Sequence, residues 1–477
     1  MAKKYKIHLP KKEKKKQRIL IYGAGEAGNL VLSEIKKQKE ATYEVVGFLD
    51  DDEKKHSKKV GGVKVLGGIE FLQKSAKSKL KIDEVLIAIP SAPSSVVKQI
   101  VDACDGLRLK YKILPGIYDI VSGRRKISPI REVRIEDILG RESVKVSFSQ
   151  IALFLNKRSV LVTGAGGSIG SELVRQIFEF DPAKIILFDH NESGVYDLHM
   201  ELQAQGGSSN LIPVVGDIRD YEGLAWVFEK HKPNIAFNAA AYKHVPLMEH
   251  FPHEAVSTNV RGTLNLLKIS DQFPLESFVF ISTDKAVYPK GVMGATKRIG
   301  EHLVINKAKS ANGRYNVVRF GNVLGSRGSV VPLFLRQIER GGPVTVTHPE
   351  IERYFMTIPE AAQLVLQAAA TAAGGEIFML EMGEKVKILD LAKKVIRLAG
   401  FEPEKDIEIK FVGLRPGEKL TEVLKTDEEK RLPTEHEKIS LITGPNKEDI
   451  EQYVEELLKI SRVGNLSAIL RKLKEIR

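Results

Sequence analysis

The chain has 477 residues, 43% of them hydrophobic and 28% charged, with a formal net charge of +13. That length predicts two or three domains, and the sequence holds no signal peptide and no apolar run long enough to span a bilayer. The single cysteine, Cys104, excludes an internal disulfide, no Cys/His spacing suits zinc, and a reducing cytoplasmic home is the expectation.

Residues 1–17 form a basic tail. With Arg18, the cations Lys3, Lys4, Lys6, Lys11, Lys12, Lys14, Lys15 and Lys16 stand against only Glu13, so most of the net charge sits there. Such a tail is either a solvated segment or a peripheral contact for an anionic membrane surface, at the inner face of the cell membrane. No aromatic–basic pattern accompanies it, which argues against nucleic acid.

Residues 18–135 read as a small doubly wound domain. The apolar run Arg18-Ile19-Leu20-Ile21-Tyr22 leads into Gly23, Gly25 and Gly28 in G-x-G-x-x-G spacing, and a helical pattern follows from Asn29. A second strand, residues 45–49, ends at Asp50, about 20 residues after the glycines, in the order of a dinucleotide site. Residues 85–90 give another buried parallel strand. Gly23, Gly25, Gly28 and Asp50 are therefore candidates for a second nucleotide site, although the same spacing also serves as a tight strand–helix turn. No acid–base set follows them. Ser91-Ala92-Pro93-Ser94-Ser95 caps a helix or holds a phosphate, capping being the preferred reading.

Residues 136–157 read as a connector, with Gly140-Arg141-Glu142 breaking the apolar pattern. A second Rossmann unit then spans residues 158–445. The strand Ser159-Val160-Leu161-Val162 runs into a phosphate loop with Gly164, Gly167, Ser168, Ile169 and Gly170, whose glycines let the backbone approach a pyrophosphate at a helix N-terminus. The next strand ends at Asp189, where a carboxylate can accept from an adenosine ribose and repel a 2′-phosphate. NAD is thus favoured, with NADP the alternative. Asp217 and Ile218 are placed to touch adenine, and the small Ala239 and Ala240 let a cofactor lie close. The apolar run at 277–281 ends in Ser282-Thr283-Asp284-Lys285, followed by Met293-Gly294-Ala295-Thr296-Lys297 on a helix. A hydroxyl, an acid and two amines beside a nicotinamide point to a redox enzyme that also moves protons. His244, His250 and His253 cluster but fit no standard metal spacing, so no metal is expected. Residues 446–477 read as a charged helical segment.

The motifs Thr163–Gly170, residues 238–246, Ser282-Thr283-Asp284-Lys285, Met293–Lys297, residues 319–326, residues 352–359 and Arg415-Pro416-Gly417-Glu418-Lys419 resemble the extended short-chain dehydrogenase/reductases. Within them the chain is similar to the long-form bacterial nucleotide-sugar 4,6-dehydratases acting on UDP-N-acetylglucosamine in polysaccharide and protein-glycan biosynthesis. The resemblance implies an α/β fold with two Rossmann-like doubly wound domains, the second carrying a small C-terminal substrate-binding lobe, and a homo-oligomer. Long-form relatives usually carry membrane-spanning helices before the first domain. Here the lysine-rich tail stands in that place, which fits either a member without them or a chain from which they have been removed.

The implied reaction is a redox-neutral lyase reaction giving a UDP-4-keto-6-deoxy-N-acetylhexosamine. The resemblance makes Lys285 the C5 base, Asp284 the C6 acid, Thr283 a partner of the C4 oxygen and Lys297 the holder of the nicotinamide ribose. The base must be a neutral amine and the acid protonated, and desolvation favours both. Met293 stands where the wider family carries the tyrosine that takes the C4 hydroxyl proton, four residues before Lys297 on one helical face. The methionine subgroup shares it, leaving Asp284, through Thr283 and water, as the preferred acceptor and favouring retention at C5 over inversion. Asn322, Arg353 and Arg415 match contacts to the nucleotide diphosphate or uridine, Glu418 one near the ribose, and Lys243 and His244 line the sugar end. The alternatives are a nucleotide-sugar 4-epimerase and a non-catalytic nucleotide-sensing or scaffold protein.

Overall fold

The computed structural model describes residues 16–37, 43–75, 81–107, 109–114, 131–132, 144–206, 210–446 and 450–476. The basic tail up to residue 15 and the Gly140-Arg141-Glu142 stretch lie outside them. Two compact units divide after Glu142.

The first unit is a sheet of β1 (Gln17–Tyr22), β2 (Tyr43–Leu49), β3 (Lys59–Val60), β4 (Val63–Gly67), β5 (Glu84–Ile87), β6 (Lys110–Ile113) and β7 (Arg131–Glu132), in the order β3-β4-β2-β1-β5-β6-β7. The β4-β2-β1-β5-β6 portion is parallel, and the two-residue edge strands are antiparallel. Ile19, Ile21, Phe48 and Leu86 are buried in its core, as apolar strands covered on a sheet face must be. Chain order reverses at β1, where β2 lies on one side and β5 on the other. Above that switch point sits the Gly23 turn.

The second unit repeats the architecture at larger scale. Its strands are β8 (Ser159–Thr163), β9 (Lys184–Asp189), β10 (Leu211–Val215), β11 (Ile235–Asn238), β12 (Ser277–Thr283), β13 (Arg314–Phe320), β14 (Asn322–Val323), β15 (Val344–Val346), β16 (Glu352–Met356), β17 (Ile377–Leu380), β18 (Lys385–Lys387), β19 (Ile409–Phe411), β20 (Lys430–Pro433) and β21 (Ile439–Thr443). The main sheet runs β10-β9-β8-β11-β12-β13-β17-β21-β20. It is parallel through β17, after which β21 and β20 continue antiparallel. Two apolar cores flank it. One packs the helices Ser168–Phe178, Glu192–Ala204 and Ile358–Thr371; the other packs Tyr221–His231, Gly262–Gln272, Val292–Ala308 and the two C-terminal helices Ile450–Arg462 and Leu466–Lys474.

A smaller lobe holds β14-β16-β18, the pair β15-β19 and the packed helices Val330–Glu339 and Ile388–Leu398. Part of the stretch read as a connector is helical. Phe148–Leu155 buries Ile151, Phe154 and Leu155, and Ser147 caps it. The Ser147 N–H donates to Gln367 Oε1 at 2.7 Å and Gln367 Nε2 to Gln150 Oε1 at 2.8 Å, which fastens this helix to Ile358–Thr371. Among the described residues no helix is long and apolar enough to cross a membrane.

Candidate active site

The loop after β8 is built by exclusion of side chains. Gly164 has φ +72°, and a Cβ on it would lie 2.6 Å from the Ala240 amide nitrogen, so the turn presses against the end of β11. A Cβ on Gly170 would lie 2.0 Å from the Gly164 carbonyl oxygen, so the helix Ser168–Phe178 can start this close only with glycine there. Gly167 is the N-cap of that helix and supplies no side-chain cap, so its first-turn N–H groups are available to an anion. Ile169 lies in the same turn. Asp189, buried at the end of β9, accepts from the Gly166 N–H at 2.8 Å and the Asn191 N–H at 2.9 Å. Its carboxylate therefore shapes the loop as well as facing it.

Asp217 accepts from the Arg219 backbone N–H at 2.8 Å and from its guanidinium at 2.6 and 2.8 Å. Desolvation works against its charge, but Arg219 outweighs that and holds the carboxyl below its ordinary range. Ile218 is buried where a Cβ on Gly262 would meet it at 2.4 Å. Ala239 continues from β11, its N–H donating to the Thr163 carbonyl at 3.1 Å.

The Thr283–Asp284–Lys285 cluster forms because β12 and β13 are parallel neighbours that end level, Thr283 beside Phe320. The residues just past the two strand ends are thereby brought together. Thr283 Oγ1 and Lys285 Nζ both donate to Asp284 Oδ1 at 2.9 Å, and Lys285 Nζ also donates to Asn322 Oδ1 at 2.9 Å. Asp284 is fully buried, and its Oδ2 has no hydrogen-bond partner. A Cβ on Gly321 would lie 3.0 Å from that oxygen, so glycine keeps the space beside it clear. The helix Val292–Ala308 closes the other side, with the Lys285 carbonyl 2.2 Å from where a Cβ on Gly294 would be. Met293 and Lys297 are both buried on it. The Lys297 Nζ sits 3.9 Å from the Phe280 ring centre, and burial pushes its ammonium down to about 7 against the opposing pull of Glu301.

Lys243 Nζ donates to Ser326 Oγ at 3.3 Å, and His244 packs where a Cβ on Gly328 would meet its ring at 2.5 Å. Burial lowers the pKa of both, and Lys243 adds to the effect on His244. Arg353 stands elsewhere. Its guanidinium donates to the carbonyls of Glu352, Lys419 and Leu420 and, at 3.3 Å, to Glu418 Oε1, so its donors fasten the 418–420 loop to β16. Glu418 also accepts from the Arg415 N–H at 3.1 Å, while the Arg415 side chain is exposed.

Three features depend on partners outside the motifs, although Ser282, Arg319, Tyr242 and Thr296 themselves lie within them. Arg298 and Arg319 pair with Glu301 and Glu429 in a buried, charge-balanced network; Arg319 reaches both carboxylates at 2.9–3.1 Å, and Ser282 Oγ donates to Glu301 at 2.6 Å. This fixes the end of β12 immediately before the reactive cluster. Asn259 projects from a π-helical turn, Val256–Arg261, and joins Tyr242 backbone to Thr296. Arg327 crosses the glycine loop, its N–H on Ser168 Oγ at 3.1 Å and its guanidinium on the Gly166 carbonyl at 2.9 Å. Its only sequence signal is its place one residue beyond Ser326.

In the first unit, Gly23 has φ +109° and Gly28 approaches its carbonyl so closely that a Cβ would lie at 1.9 Å. Gly25 is open. Asp50 accepts from the Ala24 N–H at 2.8 Å and the Lys55 ammonium at 3.0 Å, so its carboxylate is partly committed to the turn and a lysine.

Residues 160–444 match the polysaccharide biosynthesis protein family, and residues 4–115 match a CoA-binding domain family. The chain is 44% identical over 449 residues to the capsular polysaccharide biosynthesis protein CapD of Staphylococcus aureus, covering 93% of this chain and 74% of that one. It is 46% identical over 415 residues to the probable polysaccharide biosynthesis protein EpsC of Bacillus subtilis, covering 87% and 69%. The chain belongs to the polysaccharide biosynthesis protein family. Among solved structures, the X-ray structure of Pen from Bacillus thuringiensis superposes with a TM-score of 0.57 at 31% identity, covering 64% of this chain and 98% of that one. The fold of this family member is that of the extended short-chain dehydrogenase/reductases, preceded by a second Rossmann-like unit.

Proposed function

We propose that this protein catalyses the NAD(P)-dependent, redox-neutral 4,6-dehydration of UDP-N-acetylglucosamine to a UDP-4-keto-6-deoxy-N-acetylhexosamine for surface polysaccharide or protein-glycan biosynthesis. The observation that carries the reading is the buried Asp284 paired with the half-buried Lys285, with Thr283 and Asn322 on the pair, beside a helix that offers methionine where the wider family has tyrosine. A 4-epimerase needs a group for the C4 hydroxyl proton but no acid–lysine pair at C5 and C6. Family membership supports nucleotide-sugar chemistry, and the glycine loop, its uncapped helix and Asp189 fit a dinucleotide, NAD in preference to NADP.

A nicotinamide bound at this loop would supply hydride acceptance from C4 and hydride return to C6. Lys297 would hold the nicotinamide ribose. The C4 hydroxyl proton would pass through Thr283 Oγ1 to Asp284, a path the 2.9 Å contact supports. Lys285, as neutral amine, would take the C5 proton acidified by the C4 ketone. Asp284 would then give its proton to the departing C6 hydroxyl, so the water released carries the original C4 hydroxyl proton. Lys285 would return its proton to C5. Every proton is accounted for, and each residue ends as it began. Lys243, His244, Asn322, Arg415 and Glu418 would line the substrate pocket; Arg353 would act there by holding the 418–420 loop.

The deciding experiment is NMR of the purified protein with UDP-N-acetylglucosamine and NAD. A new C6 methyl signal beside a free or hydrated C4 ketone is expected. A galacto product would make it an epimerase, and no conversion by cofactor-loaded protein would sink the dehydratase.

A further inference from the structure

The Lys285 amine has a third oxygen near it that no catalytic motif contains. Glu422 Oε1 lies 3.7 Å from Lys285 Nζ, and its Oε2 lies 3.2 Å from Lys419 Nζ without forming a hydrogen bond. Glu422 is 3% exposed and Lys419 7%. Lys419 is fixed independently, donating to the Val287 carbonyl at 2.7 Å, and its backbone carbonyl is held by Arg353. The row Asp284, Lys285, Glu422, Lys419 therefore alternates in sign and sums to zero. A buried carboxylate is costly unless paired, and a hydrogen-bonded ion pair with Lys419 would have satisfied it. Glu422 instead stands within ion-pair range of both amines, 3.2 Å from Lys419 Nζ through Oε2 and 3.7 Å from Lys285 Nζ through Oε1, with neither contact a hydrogen bond.

We propose that Glu422 is a positioning residue for Lys285. It faces the amine from beyond its Asp284 and Asn322 hydrogen bonds and stabilises the ammonium that forms when Lys285 takes a proton from substrate. The inference rests on Lys285 being the base of the proposed dehydration. The effect is electrostatic. Once Asp284 has become a neutral acid, it no longer balances the Lys285 ammonium, and the Glu422 carboxylate is the remaining negative charge beside it. Lys419, in ion-pair range of the other Glu422 oxygen, limits that effect. Between them, the two residues divide the work that one carboxylate could not do for both protonation states. No proton moves to or from Glu422.

The test uses the 477-residue chain with NAD and UDP-N-acetylglucosamine in deuterium oxide. Glu422→Gln and Glu422→Asp are compared with the parent protein. Absorbance of the reduced nicotinamide reads C4 oxidation, and deuterium at C5 with the C6 methyl signal reads proton abstraction and elimination. In Glu422→Gln, C4 oxidation should persist and KM should change less than about twofold, while elimination, compared on the high-pH plateau where Lys285 is neutral in both proteins, slows about tenfold or more. The limb of the rate profile on which Lys285 must be neutral should shift to lower pH, because removing the carboxylate destabilises the ammonium. Glu422→Asp should recover part of the rate. Elimination and a pH profile like the parent's in Glu422→Gln would overturn the proposal, as would equal loss of C4 oxidation and elimination. Should Glu422→Gln fail to fold, Glu422→Asp carries the test: it withdraws the carboxylate by one methylene, and parent-like elimination would overturn the proposal. A parent protein that makes no keto-deoxy sugar would instead remove the dehydratase reading on which it rests.

Discussion

Lys297 is buried without a hydrogen-bonded counter-ion at its tip, and its ammonium is held down at about 7 by desolvation. In the unfolded chain the amine titrates near its ordinary value, about 10.4. Between those two pH values the unfolded state binds the extra proton, so stability rises with pH across that window, and the full cost of the charge is present below it. Lys297→Met should therefore melt higher than the parent protein at neutral and acid pH. The gap should close as the pH rises toward 10, which thermal melts at a series of pH values will read. A lysine kept at such a cost fits a role at a cofactor rather than in packing. Asp284→Asn and Lys285→Ala should each abolish conversion of UDP-N-acetylglucosamine while cofactor binding, followed by fluorescence titration, stays nearly intact. Loss of cofactor binding in both would mean that the pair is structural.

At the scale of elements, the end of β12 is held by charge as much as by the sheet. Burial opposes ionisation of Glu429, but Arg319 and the Thr426 N–H outweigh it and hold the carboxyl at about 2; Glu301 is lowered by the same competition with Arg319, Arg298 and Ser282. Arg319→Leu leaves two buried carboxylates short of their partner and should destabilise the protein by about 3–5 kcal/mol, measured by urea unfolding. Because these carboxyls are lowered when folded, the stability they contribute is present above their unfolded values, near 4.3, and is lost as the pH falls toward 2. Arg319→Leu should flatten that acid limb. An unchanged acid limb would mean that the pKa shifts do not come from this network. The glycine loop makes a matching element-scale case: Gly170→Ala forces a Cβ into the Gly164 carbonyl, so dinucleotide affinity should fall by at least about tenfold while the sheet persists.

For the whole molecule, each unit closes its own core. The first is built around Ile19, Ile21 and Phe48, and the second has a core on each face of the β10–β20 sheet. All residues of the reactive cluster belong to the second unit, and so does the helix Phe148–Leu155 that fastens its start. Residues 144–477 expressed alone should fold cooperatively and keep conversion of UDP-N-acetylglucosamine within about tenfold of the full chain. A truncated protein that folds but is inactive would assign the first unit a part in the reaction itself.

The strand–glycine–helix–acid order is local, so both Rossmann units and their glycine loops could be read from single stretches of sequence. So could the succession Thr283-Asp284-Lys285 and the helical spacing of Met293 and Lys297. These patterns carry their own geometry, because glycine at a closed turn and apolar strands under helices leave few alternatives. Tertiary structure alone decided which distant residues share a charge or a backbone carbonyl. The register of β12 and β13 brings Asn322 and Gly321 onto the Asp284–Lys285 pair. The folding-back of residues 415–429 makes Arg353 on β16 a clamp for the distant 418–420 loop, and it delivers Glu422 and Glu429 to partners more than 100 residues away. A carboxylate looks the same in sequence whether it faces water or a buried amine. Its role is set by what the fold leaves beside it, since burial turns a weak surface charge into a strong local one.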